Sequence, residues 1–134
     1  MQAVKAYLGG KNGVSLARIL IVEDNPLNLE LVMVVLEMRG HEVVFATDAE
    51  QGIAMAQTVL PELILMDISL PGMDGLAATQ QLRQIAGMAD IPVVALTAHA
   101  MRGDHERVLA AGCQGYIAKP IDISSFADEV ENFL

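Results

Sequence analysis

Five short, strongly apolar runs alternate along this chain with five longer segments of helical period, the order expected of successive βα units. The strand candidates are Arg18–Glu23, Glu42–Phe45, Leu63–Asp67, Val93–Thr97 and Gln114–Ile117. Several are apolar on both faces, as strands are when helices cover both sides of a parallel sheet. Helices are expected over Pro26–Arg39, Asp48–Val59, Asp74–Ile85, Asp104–Ala111 and Asp122–Leu134. Pro26 suits a first helical turn, Asp48 and Asp122 suit N-caps, and Gly40 and Gly112 stand where C-terminal caps belong. The expected class is α/β: an open, doubly wound, five-stranded parallel sheet with five helices, one domain over 18–134 behind a glycine-interrupted leader over 1–17.

A length of 134 residues allows one core and no second domain, and 53% hydrophobic residues against 19% charged exclude a disordered chain. The longest apolar stretches, Leu31–Leu36 and Ile91–Leu96, fall far short of the roughly 20 residues that cross a bilayer. Seventeen Asp and Glu outnumber eight Lys and Arg, so nucleic acid and anionic membrane are repelled and neither is expected as a partner. The single cysteine, Cys113, can form no internal disulfide and fits a reducing compartment; a cytoplasmic location and a small buried thiol are expected. His41, His99 and His105 lack His or Cys companions at ligand spacing, which argues against zinc and leaves them ordinary polar residues.

Open α/β sheets bind ligands outside the carboxyl ends of their strands. Glu23, Asp24, Asp67, the Thr97 hydroxyl and the Lys119 amine all fall at or just beyond such ends. Clustered carboxylates repel one another and call for a cation. Mg²⁺ takes one or two carboxylates and keeps several waters, which matches Asp24 and Asp67 on adjacent strands, with Glu23 reaching it through water. A carboxylate can also attack phosphorus, provided the three oxygens of the transferring group are neutralised. Asp67 would be that nucleophile, with Mg²⁺ on one oxygen, Lys119 on the second and Thr97 on the third.

The segments ILIVEDN (19–25), LILMDISLPGMDG (63–75), VVALTA (93–98) and YIAKP (116–120) resemble, in order and over nearly the whole chain, the receiver domains of response regulators. The likeness is to the single-domain type and to receivers attached to hybrid histidine kinases. It implies a flavodoxin-like fold with strand order 2-1-3-4-5, Asp67 as phosphoacceptor, Asp24 as a direct Mg²⁺ ligand and Glu23 as an acid beyond it, with the Ser69 carbonyl completing the protein ligands. It further implies Thr97 and Tyr116 as a switch pair, a cis Lys119–Pro120 peptide, and Ser69 and His99 at positions that tune acyl-phosphate hydrolysis. The implied partners are a histidine kinase or histidine phosphotransfer protein and a downstream protein target.

The first helical segment carries two apolar stripes, Leu27, Leu31, Val34, Val35 and Met38 on one side and Leu29, Val32, Met33 and Leu36 on the other. One packs on the sheet; the second, Leu29, Val32, Met33 and Leu36, is expected to be exposed and to dock the partner's helical bundle. Cover by the leader or by a homodimer is the alternative. Two other classes fit less well. A flavodoxin-type flavin carrier needs a phosphate-cradling loop where EDNPLN stands, and aromatic residues make up only 4%. An aspartyl phosphohydrolase usually carries a second Asp where Ser69 stands. A receiver that only binds partners would not need the complete acid set and Lys119.

Overall fold

The apolar runs become strands β1 Arg18–Val22, β2 Glu42–Ala46, β3 Leu63–Asp67, β4 Val93–Thr97 and β5 Gly115–Ala118, all parallel and in the order β2-β1-β3-β4-β5. Helices α1 Pro26–Met38, α2 Ala49–Val59, α3 Gly75–Gln84, α4 Asp104–Ala110 and α5 Phe126–Glu131 fill the intervals. The computed structural model describes residues 16–98 and 103–134. The fold is the doubly wound, flavodoxin-like α/β sheet. Among the described residues no helix is long and apolar enough to cross a membrane.

Side-chain alternation on the strands divides the core in two. Leu20, Val22, Ile64, Met66, Val93 and Ala95 meet α2, α3 and α4 on one face, through Ile53, Ala56, Ala78, Leu82 and Val108. On the other, Ile19, Ile21, Leu63, Leu65, Val94 and Leu96 meet α1 and α5 through Val32, Val35, Leu36, Phe126 and Val130. The central strands β3 and β4 are buried along their whole length, which is why their sequences show no polar alternation.

Local chemistry sets the helix starts near the carboxyl edge of the sheet. Asn25 Oδ1 accepts from the N–H groups of Leu27 and Asn28 to cap α1, Asp48 caps α2 through Gln51, and Asp74 caps α3 through Ala77. Gly40 (φ 93°) and Gly112 (φ 104°) follow α1 and α4 in the left-handed region, as expected of C-terminal glycines.

Four expectations need correction. The last helix starts at Phe126, because Asp122 closes a turn instead, its Oδ1 accepting from the Ser124 N–H at 3.0 Å and hydroxyl at 2.7 Å. Of the expected leader, 1–15 lies outside the described residues, whereas Leu16 and Ala17 are buried and join the domain. His41 is not an ordinary polar residue. It is buried, its Nδ1 accepts from the Ala17 N–H at 3.1 Å, and its Nε2 therefore carries the proton shared with Glu131 Oε2 at 2.8 Å. Arg39 adds ion pairs to Asp128 and Glu131, so the turn after α1 is bound to α5.

The fourth correction concerns α1. Val32 and Leu36 are buried and Leu29 and Met33 half-buried against the sheet, so the stripe expected to dock a partner is the core-facing one. Leu27 and Met38 are 78% and 82% exposed, and Val34 is exposed between them. Val35 of the other stripe is buried as well, so the core-facing side straddles the seam between the two. At about 100° per residue Glu30 and Glu37 nearly coincide on the helical wheel, and the direction opposite them falls between Val32 and Val35. Keeping both charges in water turns that side inward.

Candidate functional site

Three strands deliver the acidic cluster and its cation. Asp67 ends β3 and is buried; its Oδ1 accepts from the Ser69 N–H at 2.9 Å, which places Ser69 directly beside it. Glu23 follows β1, is buried, and is fixed by its own N–H to the Ala46 carbonyl at 3.0 Å and by Oε2 accepting from the Asn25 N–H at 3.1 Å. Asp24, next in sequence, is exposed. Lys119 follows β5 and reaches across the strand ends, with Nζ 3.0 Å from Asp67 Oδ2 and 3.1 Å from Glu23 Oε1.

Thr97 ends β4 and is buried; its carbonyl accepts from the Lys119 N–H at 2.7 Å, so the hydroxyl-bearing and amine-bearing residues are tied through the backbone. The Lys119–Pro120 peptide is cis. Tyr116 stands further back on β5, half-buried, its ring edge-on to His105 of α4 with centroids 5.4 Å apart. His99 lies outside the described residues. Thus Glu23, Asp24, Asp67, Ser69, Thr97 and Lys119 come together, while Tyr116 is engaged with α4.

Burial, then the neighbouring Asp67 carboxyl and its charge, push the Glu23 pKa above its usual value. For Lys119, burial alone acts downward, but the contacts and charges of Asp67 and Glu23 outweigh it and hold the ammonium above its usual range. The site is thus a carboxylate-rich pocket spanned by one protonated amine.

The oxygens also fit a hard divalent ion. Glu23, Asp24 and Asp67 each offer a carboxylate oxygen within 4.8 Å of the others, and Glu23 Oε1 is buried with no hydrogen-bond partner beyond its ion pair with Lys119. An all-oxygen set with one solvent-facing member, Asp24, suits Mg²⁺, which retains water.

Asn25 and Gly75, for which the sequence suggested no role, and His105, read there as an ordinary polar residue, also shape the site. Asn25 holds Glu23 while capping α1. Gly75 starts α3 so close behind β3 that a Cβ there would overlap the Asp67 carbonyl oxygen and lie 2.8 Å from Ile68 Cα. His105 supports Tyr116. The Asp-Gly pair at 74–75, opening a helix just after an acid-ended strand, was the available signal for Gly75; the ring contact had none.

The profile of the response regulator receiver domain matches residues 19–131. The polar-differentiation response regulator DivK of Brucella anthropi is 40% identical over 116 residues, covering 87% of this chain and 94% of that protein. The receiver domain of the sensor histidine kinase PA1611 of Pseudomonas aeruginosa, solved with a magnesium ion coordinated in its active-site cleft, superposes with a TM-score of 0.80 at 35% identity, covering 88% of this chain and 97% of that one. The chemotaxis response regulator CheY4 of Vibrio cholerae shares the fold, with a TM-score of 0.84 at 24% identity over 89% of this chain and 99% of its own. The chain belongs to the response regulator receiver domains, the switch proteins of two-component signalling. Members bind Mg²⁺ at an acidic site and interact with histidine kinases or phosphotransfer proteins and with downstream targets.

Proposed function

We propose that Asp67 accepts a phosphoryl group from a phosphohistidine of a histidine kinase or phosphotransfer protein. One observation carries the reading: at the strand ends a buried carboxylate is held ready, Asp67 Oδ1 by the Ser69 N–H and Oδ2 beside the Lys119 ammonium, with two further acids alongside. An Asp67 oxygen forms the bond to phosphorus as the P–N bond breaks, and the imidazole leaves with its electron pair and takes a proton. The Lys119 ammonium moves from the carboxylates to a phosphoryl oxygen, and the Thr97 hydroxyl donates to another. Asp24, Asp67 and the Ser69 carbonyl, with Glu23 as a further acid, would hold Mg²⁺, which would supply positive charge for the third.

Thr97 and Tyr116 form the switch pair in this reading, and output passes through contacts with a downstream protein. The receiver spans 18–134 together with Leu16 and Ala17. The buried, lone Cys113 thiol suits a reducing cytoplasm. The donor's helices dock on the exposed edge of α1, Leu27, Val34 and Met38, whose first member, Leu27, lies at the end of α1 next to the Glu23–Asp24 turn. Incubation with acetyl phosphate and Mg²⁺ tests the acceptor role: the intact mass should rise by one phosphoryl group in the parent, and not in Asp67→Asn or without the metal. A phosphoryl adduct that persists in Asp67→Asn overturns the assignment.

A further inference from the structure

The carboxyl-edge chemistry leaves one aromatic contact unused. His105, exposed on α4, meets the half-buried Tyr116 of β5 with ring centroids 5.4 Å apart and planes at 83°, the edge-to-face geometry that aromatic pairs favour. Tyr116 lies on β5 three residues before Lys119, which follows that strand, and pairs in register with Ala95, two residues before Thr97. Its ring therefore sits on the sheet face covered by α4, one pleat back from the two residues that would hold phosphoryl oxygens. Side chains occupy discrete rotamer wells, so moving Tyr116 to another χ1 well carries the ring several ångströms and breaks the His105 contact.

We infer that His105 is a positioning residue for the switch: its ring holds Tyr116 in the present rotamer, and that contact must be given up when Asp67 is phosphorylated. The inference rests on the phosphoacceptor reading above. It follows from linkage that whatever stabilises Tyr116 in the unmodified conformer weakens the site's affinity for the phosphoryl group by the same factor. One edge-to-face ring pair corresponds to roughly two- to tenfold in that equilibrium. His105 thus sets how readily the domain switches without touching the phosphoryl group.

Beryllofluoride with Mg²⁺, a mimic of the bound phosphoryl group, provides the test in the full chain. The sequence has two tyrosines, Tyr7 and Tyr116, and no tryptophan, so in a Tyr7→Phe background the emission reports Tyr116 alone. His105→Ala should lower the half-saturating beryllofluoride concentration roughly two- to tenfold, and His105→Phe, which restores a ring, should return it toward the parental value. Unfolding midpoints are measured alongside; a merely structural role moves these midpoints and leaves the beryllofluoride response unchanged. An unchanged midpoint of binding in His105→Ala, or an equal shift in both variants, overturns the inference while the parental response leaves the phosphoacceptor reading standing. A parent that responds no better than Asp67→Asn refutes that reading and this inference with it.

Discussion

The Lys119 ammonium lies 3.0 Å from Asp67 Oδ2. The same nitrogen is 3.1 Å from Glu23 Oε1, so one cation separates two buried carboxylates that would otherwise repel. Lys119→Met removes that charge and leaves the acids to Mg²⁺ alone. The variant should still bind Mg²⁺, followed as a metal-dependent rise in unfolding temperature, while its phosphorylation by acetyl phosphate slows by about 10²-fold or more, the usual cost of losing one oxyanion donor. Parental phosphorylation rates would remove Lys119 from the account.

Gly75 predicts a structural route to the same site. A methyl group there meets the Asp67 carbonyl oxygen and Ile68 Cα, both backbone and unable to yield, so α3 must retreat from β3. Gly75→Ala should cost about 1–3 kcal/mol or more in urea unfolding, the range of overpacked cores. Mg²⁺ affinity should fall with it, since the crowded backbone is that of Asp67 itself, two residues before Ser69. Loss of stability below about 0.5 kcal/mol contradicts the close approach.

The exposed edge of α1 separates donor recognition from chemistry. Leu27→Glu with Met38→Glu alters two side chains that are 78% and 82% exposed, and stability should stay within about 0.5 kcal/mol of the parent. Phosphotransfer from a histidine kinase or phosphotransfer protein should drop, while the rate with acetyl phosphate stays parental. Equal rates from both donors place docking elsewhere.

Cys113 gives a prediction in pH. Burial pushes its thiol pKa up, and the Thr79 hydroxyl and Arg83 charge only partly offset this. The folded thiol thus keeps its proton to higher pH than the unfolded one. Its contribution to stability is complete below the ordinary thiol range and is lost as pH climbs through the folded value. Urea unfolding between pH 7 and 10 should show declining stability in the parent and a shallower decline in Cys113→Ala. In the native protein the thiol should react with alkylating reagents only as fast as the core opens.

The strands, their order through the family resemblance, and the residues at their carboxyl ends are legible in the sequence, because each of those signals is local. Glu23, Asp24, Asp67, Thr97 and Lys119 each end or follow an apolar run, and a parallel sheet brings all such ends to one edge. What escaped depended on choices between elements. Two stripes of α1 were almost equally apolar, and the buried face straddles the seam between them, opposite Glu30 and Glu37, taking in Val35 of one and Val32 and Leu36 of the other. Asp122 had the composition of an N-cap, but Ser124 engaged it locally first. His41 looked polar and unaccompanied because its partners, the Ala17 amide and Glu131, are 24 and 90 residues away.

The most direct measurement is reductive trapping. Borohydride converts an aspartyl phosphate to homoserine, and peptide mass mapping of the protein treated with acetyl phosphate and Mg²⁺ then reports which carboxylate carried the phosphoryl group. The account predicts homoserine at position 67 and nowhere else, absent when magnesium is withheld. Homoserine at Asp24 or Glu23's equivalent reduction product, with Asp67 intact, contradicts it.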